Sequence, residues 1–156
     1  MIRLSRLTDY GILLMTLVAR DAGHKPRAAR DLADEASLPL PTVSKILKIL
    51  LAHELLVSHR GVKGGYTLAK PTSETTVASI IEAMEGPIGL TECSSENGNC
   101  DLLGLCPMRS NWAVISDAMR NALEQVKLSD LVTPLHLARK GADGLVLLRM
   151  PTGRMQ

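Results

Sequence analysis

The chain lacks any uninterrupted apolar run of about 18 residues, which excludes a membrane-spanning helix. Its N-terminus, MIRLSRLTDYG, has neither an apolar h-region nor a small-residue cleavage site, so no secretory leader is expected and a cytoplasmic location follows. Cysteine is scarce: Cys93, Cys100 and Cys106 are the three in 156 residues. An odd count in a reducing compartment argues against a disulfide framework and for metal binding or redox chemistry. The glycines of GVKGGY come without the lysine-hydroxyl pair of a phosphate loop, so NTP hydrolysis is not expected. Cys106-Pro107 opens a helix, where a thiol can serve as a nucleophile, but no histidine lies near it in sequence. An enzyme, and with it a small-molecule substrate, is therefore disfavoured. At this length the chain is one ordinary domain, or a small domain with an appendage.

Charge is also sparse in sum, at +2, but it is unevenly divided. Residues 1–70 carry 11 Lys+Arg against 6 Asp+Glu, and residues 71–156 carry 7 against 10. The basic half is the candidate for a polyanion partner, although a surplus of this size also suits an ordinary solvated surface.

That half has a readable order. Ser5 caps a helix with Leu7, Tyr10, Leu14, Leu17 and Val18 at helical spacing, stopping at Asp21-Ala22-Gly23. RAARDLADEA makes a short second helix, Ser37-Leu38-Pro39-Leu40 breaks it, and Pro41 opens a third, PTVSKILKILLAHELL, with Val43, Ile46, Leu47 and Leu50 inward. Two helices across a tight break form a helix-turn-helix. LVSHR and YTLAK then alternate as strands around the glycine-rich tip GVKGG. The expected fold is thus mainly α with a small β-hairpin: a winged helix-turn-helix over residues 1–70. Its third helix is placed to enter the major groove of double-stranded DNA through Thr42, Ser44, Lys45 and Lys48, with Arg60 and Lys63 on the wing against a neighbouring groove or the backbone. The alternative is a winged helix that binds protein.

Residues 71–106 read as a connecting helix, VASIIEAME, capped by Thr76 and ended by Gly86-Pro87, followed by a cysteine loop. Residues 107–132 read as a long helix in which Met108, Trp112, Ile115, Met119, Ala122 and Val126 follow a four-three spacing, the seam of a coiled coil. The seam either pairs two copies into a homodimer, as half-site readers usually do, or packs on the chain's own core. Residues 133–156 show no sustained period and read as a tail, with GLVLLRM an apolar patch inside it.

Six residues separate Cys93 from Cys100 and five separate Cys100 from Cys106, so the short knuckle of structural zinc sites is missing. A glycine-containing loop can instead wrap an iron–sulfur cluster, which thiolates hold. Zinc, a bare redox thiol and three unrelated cysteines stay open on spacing alone.

The stretch from LTDYG through the helix-turn-helix, RGVKGGYTLAKP, IIEAMEGPI, the spaced cysteines and the CPMR…W helix start is similar to the winged-helix iron–sulfur regulators that include IscR and NsrR. The resemblance covers about residues 1–132, and HRGVKGGYTLA, EGPIGLTEC and LCPMRSNW look most like the regulator of the SUF iron–sulfur assembly operon. It implies a homodimeric regulator, expected to repress iron–sulfur assembly genes, whose 2Fe–2S or 4Fe–4S cluster on Cys93, Cys100 and Cys106 sets operator affinity. IscR-like members place a histidine ligand three residues after the last cysteine; here Arg109 stands there, and a guanidinium does not ligate. NsrR-like members take a carboxylate from the N-terminal helix of the other subunit, and in the matching LTD that residue is Asp9. Asp9 equally suits a purely local role at a helix N-terminus, and Glu92, Glu96 and Asp101 offer carboxylates within the loop. The alternative function is a zinc- or thiol-based regulator, or a protein adaptor, without a cluster.

Overall fold

The computed structural model describes residues 3–20, 25–91, 106 and 108–132. The tail expected over residues 133–156 lies outside them. Helix α1 (Arg6–Ala19) starts where the sequence places its cap, with the Ser5 hydroxyl accepting the Thr8 N–H at 3.2 Å. Helix α2 (Ala29–Ala36) ends on Ser37 in left-handed backbone, φ 53°. There the Leu38 N–H donates to Ala33 O at 3.0 Å, turning the chain into α3 (Leu40–Ala52). Pro41 takes the second rather than the first helical position, where a missing N–H still costs no intrahelical bond.

α3 stops four residues short of the expected Leu56. Glu54 adopts φ 57°, and the Leu55 N–H returns to Leu50 O at 3.0 Å, so the chain leaves the helix by the same left-handed device that ends α2. Strands β1 (Leu56–His59) and β2 (Gly65–Leu68) then pair antiparallel from Leu56↔Leu68 to His59↔Gly65. Arg27 adds a bridge on the other edge of β2: its N–H donates to Tyr66 O at 3.0 Å and its carbonyl accepts from Tyr66 N at 2.9 Å. A Cβ at position 65 would lie 2.5 Å from Arg27 O, so this close approach requires glycine.

Helix α4 (Val77–Glu85) is capped by Thr76, whose hydroxyl accepts the Ser79 N–H at 2.9 Å, and ends at Gly86 with φ 93°. α1 lies centrally, packed by α2, α3, α4, β2 and the short helix of residues 128–132. Leu14, Met15 and Val18 from α1, Leu32, Ile46, Leu47 and Leu50 from the helix-turn-helix, and Ile80 form one solvent-free core. This is the winged helix the sequence anticipates.

The long C-terminal helix is corrected by a break. α5 runs Arg109–Gln125, Val126 is extended, and α6 (Leu128–Val132) follows. The cause is a set of backbone bonds to the chain before and at the start of α4: Val77 N–H to Val126 O at 2.9 Å, and Leu128 N–H to Thr75 O at 2.8 Å. Asp130 accepts the Lys127 N–H at 2.9 Å, and Leu128 is wholly buried in the core. Residues 128–132 therefore complete the winged helix instead of extending the expected pairing helix. Among the described residues no helix is long and apolar enough to cross a membrane.

Candidate nucleic-acid interface

α3 divides cleanly by burial. Val43, Ile46, Leu47 and Leu50 are fully buried, Lys45 and Lys48 are exposed on the far side, and Thr42 and Ser44 are half-buried at its margins. The helix has no acidic residue to pair with its lysines. Two lysines and two hydroxyls over about two turns thus face outward or lie at the margins of an element backed by the core. Behind it, Glu35 bridges Arg20, at 2.7 Å, and Arg27, tying α2 to α1 and to the segment that meets the wing. The hydrogen bond from Arg27 holds the Glu35 carboxyl below its ordinary value, with both guanidinium charges acting in the same direction.

The wing tip is a tight turn closed by the Gly64 N–H donating to Gly61 O at 2.9 Å. A Cβ on Gly64 would lie 2.3 Å from His59 O, so the fold itself demands glycine here. Arg60 and Lys63 are exposed, and His59 Nε2 lies 2.9 Å from Thr67 Oγ1 across the strands. Val62, not singled out by sequence, occupies a corner of the turn at 107% relative exposure. The available signal was one apolar residue standing between two cations in a glycine-rich tip.

Of the proposed metal ligands, Cys106 is a half-buried free thiol just before α5, Asp9 is exposed in the first turn of α1, and Cys93 and Cys100 lie outside the described residues. Glu92, Glu96 and Asp101 lie outside them too. Among the described residues no group of three or more His, Cys, Asp or Glu is assembled to hold a metal. The donor set itself, three thiols with a carboxylate available, suits iron–sulfur chemistry. Sequence reading missed a link beside Asp9: Glu85, the last residue of α4, accepts the Ser5 N–H at 2.7 Å and the hydroxyl of the buried Thr8. The Thr8 hydroxyl chiefly, and the Ser5 N–H next, hold the Glu85 carboxyl below its ordinary value. The end of α4, which leads into the cysteine segment, is thereby bonded to the start of α1.

α5 meets the body through Ser116, whose buried hydroxyl accepts the Leu90 N–H at 3.3 Å, and through Arg120, paired with Glu82 of α4 at 3.0 Å and also, within α5, with Glu124 at 3.3 Å. A cleft of about 520 Å³ beside these contacts is lined by His53, Glu82, Pro87, Ile88 and Asp117 among others. Of the expected seam, Met108, Ile115, Ala122 and Val126 are exposed, while Trp112 and Met119 are half-buried. Val114, outside the four-three pattern, is the most exposed large apolar residue of α5 at 69%.

The Rrf2 family model, described as an iron-dependent transcriptional regulator, matches residues 4–134. The chain is 28% identical over 155 residues to the HTH-type transcriptional regulator IscR of Photorhabdus laumondii, covering 99% of this chain and 94% of that protein. It is 29% identical over 132 residues to the HTH-type transcriptional repressor NsrR of Streptomyces coelicolor, covering 83% and 88%. Among solved structures it resembles CymR, the global cysteine regulator of B. subtilis, with a TM-score of 0.68 at 27% identity over 85% of this chain and 97% of that one. IscR of T. potens shares the fold with a TM-score of 0.66 at 23% identity, over 90% and 93%.

Proposed function

Because this chain belongs to the Rrf2 family of winged-helix transcriptional regulators, we propose that it binds operator DNA as a homodimer and senses an iron–sulfur cluster, repressing iron–sulfur assembly genes in the cytoplasm. Its relatives are transcriptional regulators, so the enzyme reading of Cys106 is set aside. Thr42, Ser44, Lys45 and Lys48 would meet the major groove, and Arg60 and Lys63 an adjacent groove or phosphates. Cys93, Cys100 and Cys106 would hold the cluster, with Asp9 of the other subunit as fourth ligand. The cluster would supply a centre reactive toward oxygen, nitric oxide or electrons.

The observation that carries this reading is where the cysteine segment sits. It joins Gly86, at the end of α4, to Arg109, at the start of α5. The chain just past the far end of α5 is stitched to the body at Val126–Leu128, whereas its near end, Arg109, lies three residues after Cys106. Ordering or releasing that segment would shift the near end of the helix that carries the exposed apolar residues, and with it the spacing of two recognition helices. A bias of about 1.4 kcal/mol changes occupancy about tenfold. The Glu85 bonds to Ser5 and Thr8 extend the link to the first turn of α1, beside Asp9.

Anaerobic purification with visible absorption and Mössbauer spectra tests the cluster. Each Cys→Ser variant should lose the chromophore, and Asp9→Ala should keep the fold but alter the spectrum or its lifetime in air. If Asp9→Ala is spectrally silent and a Glu92, Glu96 or Asp101 variant shows the loss, the fourth ligand lies in the loop. The likeness to CymR favours, as a second reading, a thiol- or zinc-based regulator without a cluster. Colourless anaerobic protein with stoichiometric zinc would select it.

A further inference from the structure

We propose that Val62 is a specificity-determining residue: seated in the minor groove beside each half-site, it selects A·T over G·C pairs there. The inference rests on the DNA-binding reading above and adds to it a base preference and the residue responsible. Three observations lead to it. Val62 touches nothing in its own chain, at 107% relative exposure, so the fold gains nothing from an apolar side chain at this position. It stands with Lys63 at the corners of the turn that Gly61 and Gly64 close, the point of the hairpin farthest from the strands. Arg60 and Lys63 flank it, both exposed, so the tip that carries Val62 is suited to a polyanion surface.

The shape of the tip decides the groove. With α3 in the major groove, a single narrow turn flanked by cations suits the minor groove, which is about 6 Å wide and attracts Arg and Lys where it narrows. Minor-groove proteins do carry apolar side chains into that groove, as wedges at base steps, and a short valine on this tip would meet the base edges at its floor. The floor of that groove differs between pairs in one respect: G·C adds the guanine N2 amino donor to a surface otherwise made of acceptors. A valine covering that donor can neither accept its hydrogen bond nor leave it to water, whereas at A·T no donor is buried. Steric bulk of the amino group works in the same direction.

The experiment uses the full-length protein and an operator duplex on which footprinting has located the wing-proximal flank. Pairs at that flank are made A·T, G·C or inosine·C, the last being G·C without the N2 amino group. Wild type should bind G·C about five- to tenfold more weakly than A·T, with inosine·C close to A·T. Val62→Asn, whose side-chain carbonyl can accept from the amino group, should bind all three alike with an unchanged salt slope. Equal wild-type affinities, an inosine·C duplex as weak as G·C, or a Val62→Asn protein that still discriminates would each overturn the proposal while leaving DNA binding intact. Failure of wild type to prefer any duplex over competitor DNA would instead overturn both this inference and the reading beneath it.

Discussion

Glu54 ends the recognition helix at φ 57°, a conformation in which a side chain's Cβ crowds the backbone and glycine does not. Glu54→Gly should therefore stabilise the fold, by about 0.5–1 kcal/mol in urea denaturation, once the greater freedom of glycine in the unfolded chain is offset. A loss of stability would mean that the Glu54 side chain has a role of its own. Glu85 gives a pH signature. Its ionised form accepts from the Thr8 hydroxyl and the Ser5 N–H, so its carboxyl titrates lower in the fold than its ordinary value of 4.5. A group depressed in this way adds stability that is fully present above the unfolded value and disappears as pH falls through the folded one. Glu85→Gln should be less stable than wild type near neutrality, with the difference shrinking below about pH 4.5. Parallel curves in acid titration of the melting temperature would refute the assignment.

At the scale of the element, α3 has two faces with separate work. Its buried face anchors it, and its exposed face carries two lysines with hydroxyls at the margins. Lys48→Ala should weaken binding to specific and random duplexes alike and lower the salt slope by about one, because a phosphate contact releases counterions without reading bases. Thr42→Ala or Ser44→Ala should instead relax base preference at fixed positions. A Lys48→Ala protein whose salt slope matches wild type would move that lysine off the phosphates. The helix itself should be unaffected, since Lys48 is exposed and alanine has the higher helix propensity.

For the whole molecule, the expectation is a homodimer built on α5, whose Val114 and Ile115 are exposed in the single chain. Ile115→Lys should yield a folded monomer by sedimentation and should weaken operator binding, because a half-site reader loses its second helix. Wild type that sediments as a monomer at micromolar concentration would refute the pairing. A variant that stays dimeric would shift the seam to other residues of α5.

The caps of α1 and α4, the hairpin and the outward face of α3 were legible in the chain because each depends on neighbours in sequence, whereas α2 starts at Ala29, two residues later than RAARDLADEA suggested, because Arg27 pairs with Tyr66. Ser5 and Thr76 cap through hydroxyls three residues from the N–H they bind, and the 3.6-residue period of Val43, Ile46, Leu47 and Leu50 leaves Lys45 and Lys48 as its complement. What sequence could not decide depends on a backbone conformation its residue type does not signal, or on partners distant along the chain. The early end of α3 needed a left-handed Glu54, which carries no glycine signal. The break at Val126 came from the Val77 N–H and the Thr75 carbonyl, and a four-three apolar pattern cannot register bonds to residues 49 and 53 positions earlier. Glu85 reached Ser5 and Thr8 only because α4 packs on α1. Local spacing determined which residues could make helices and which could face DNA; tertiary packing decided where the C-terminal helix breaks and what Glu85 bonds, because only it brings groups distant along the chain close enough to bond.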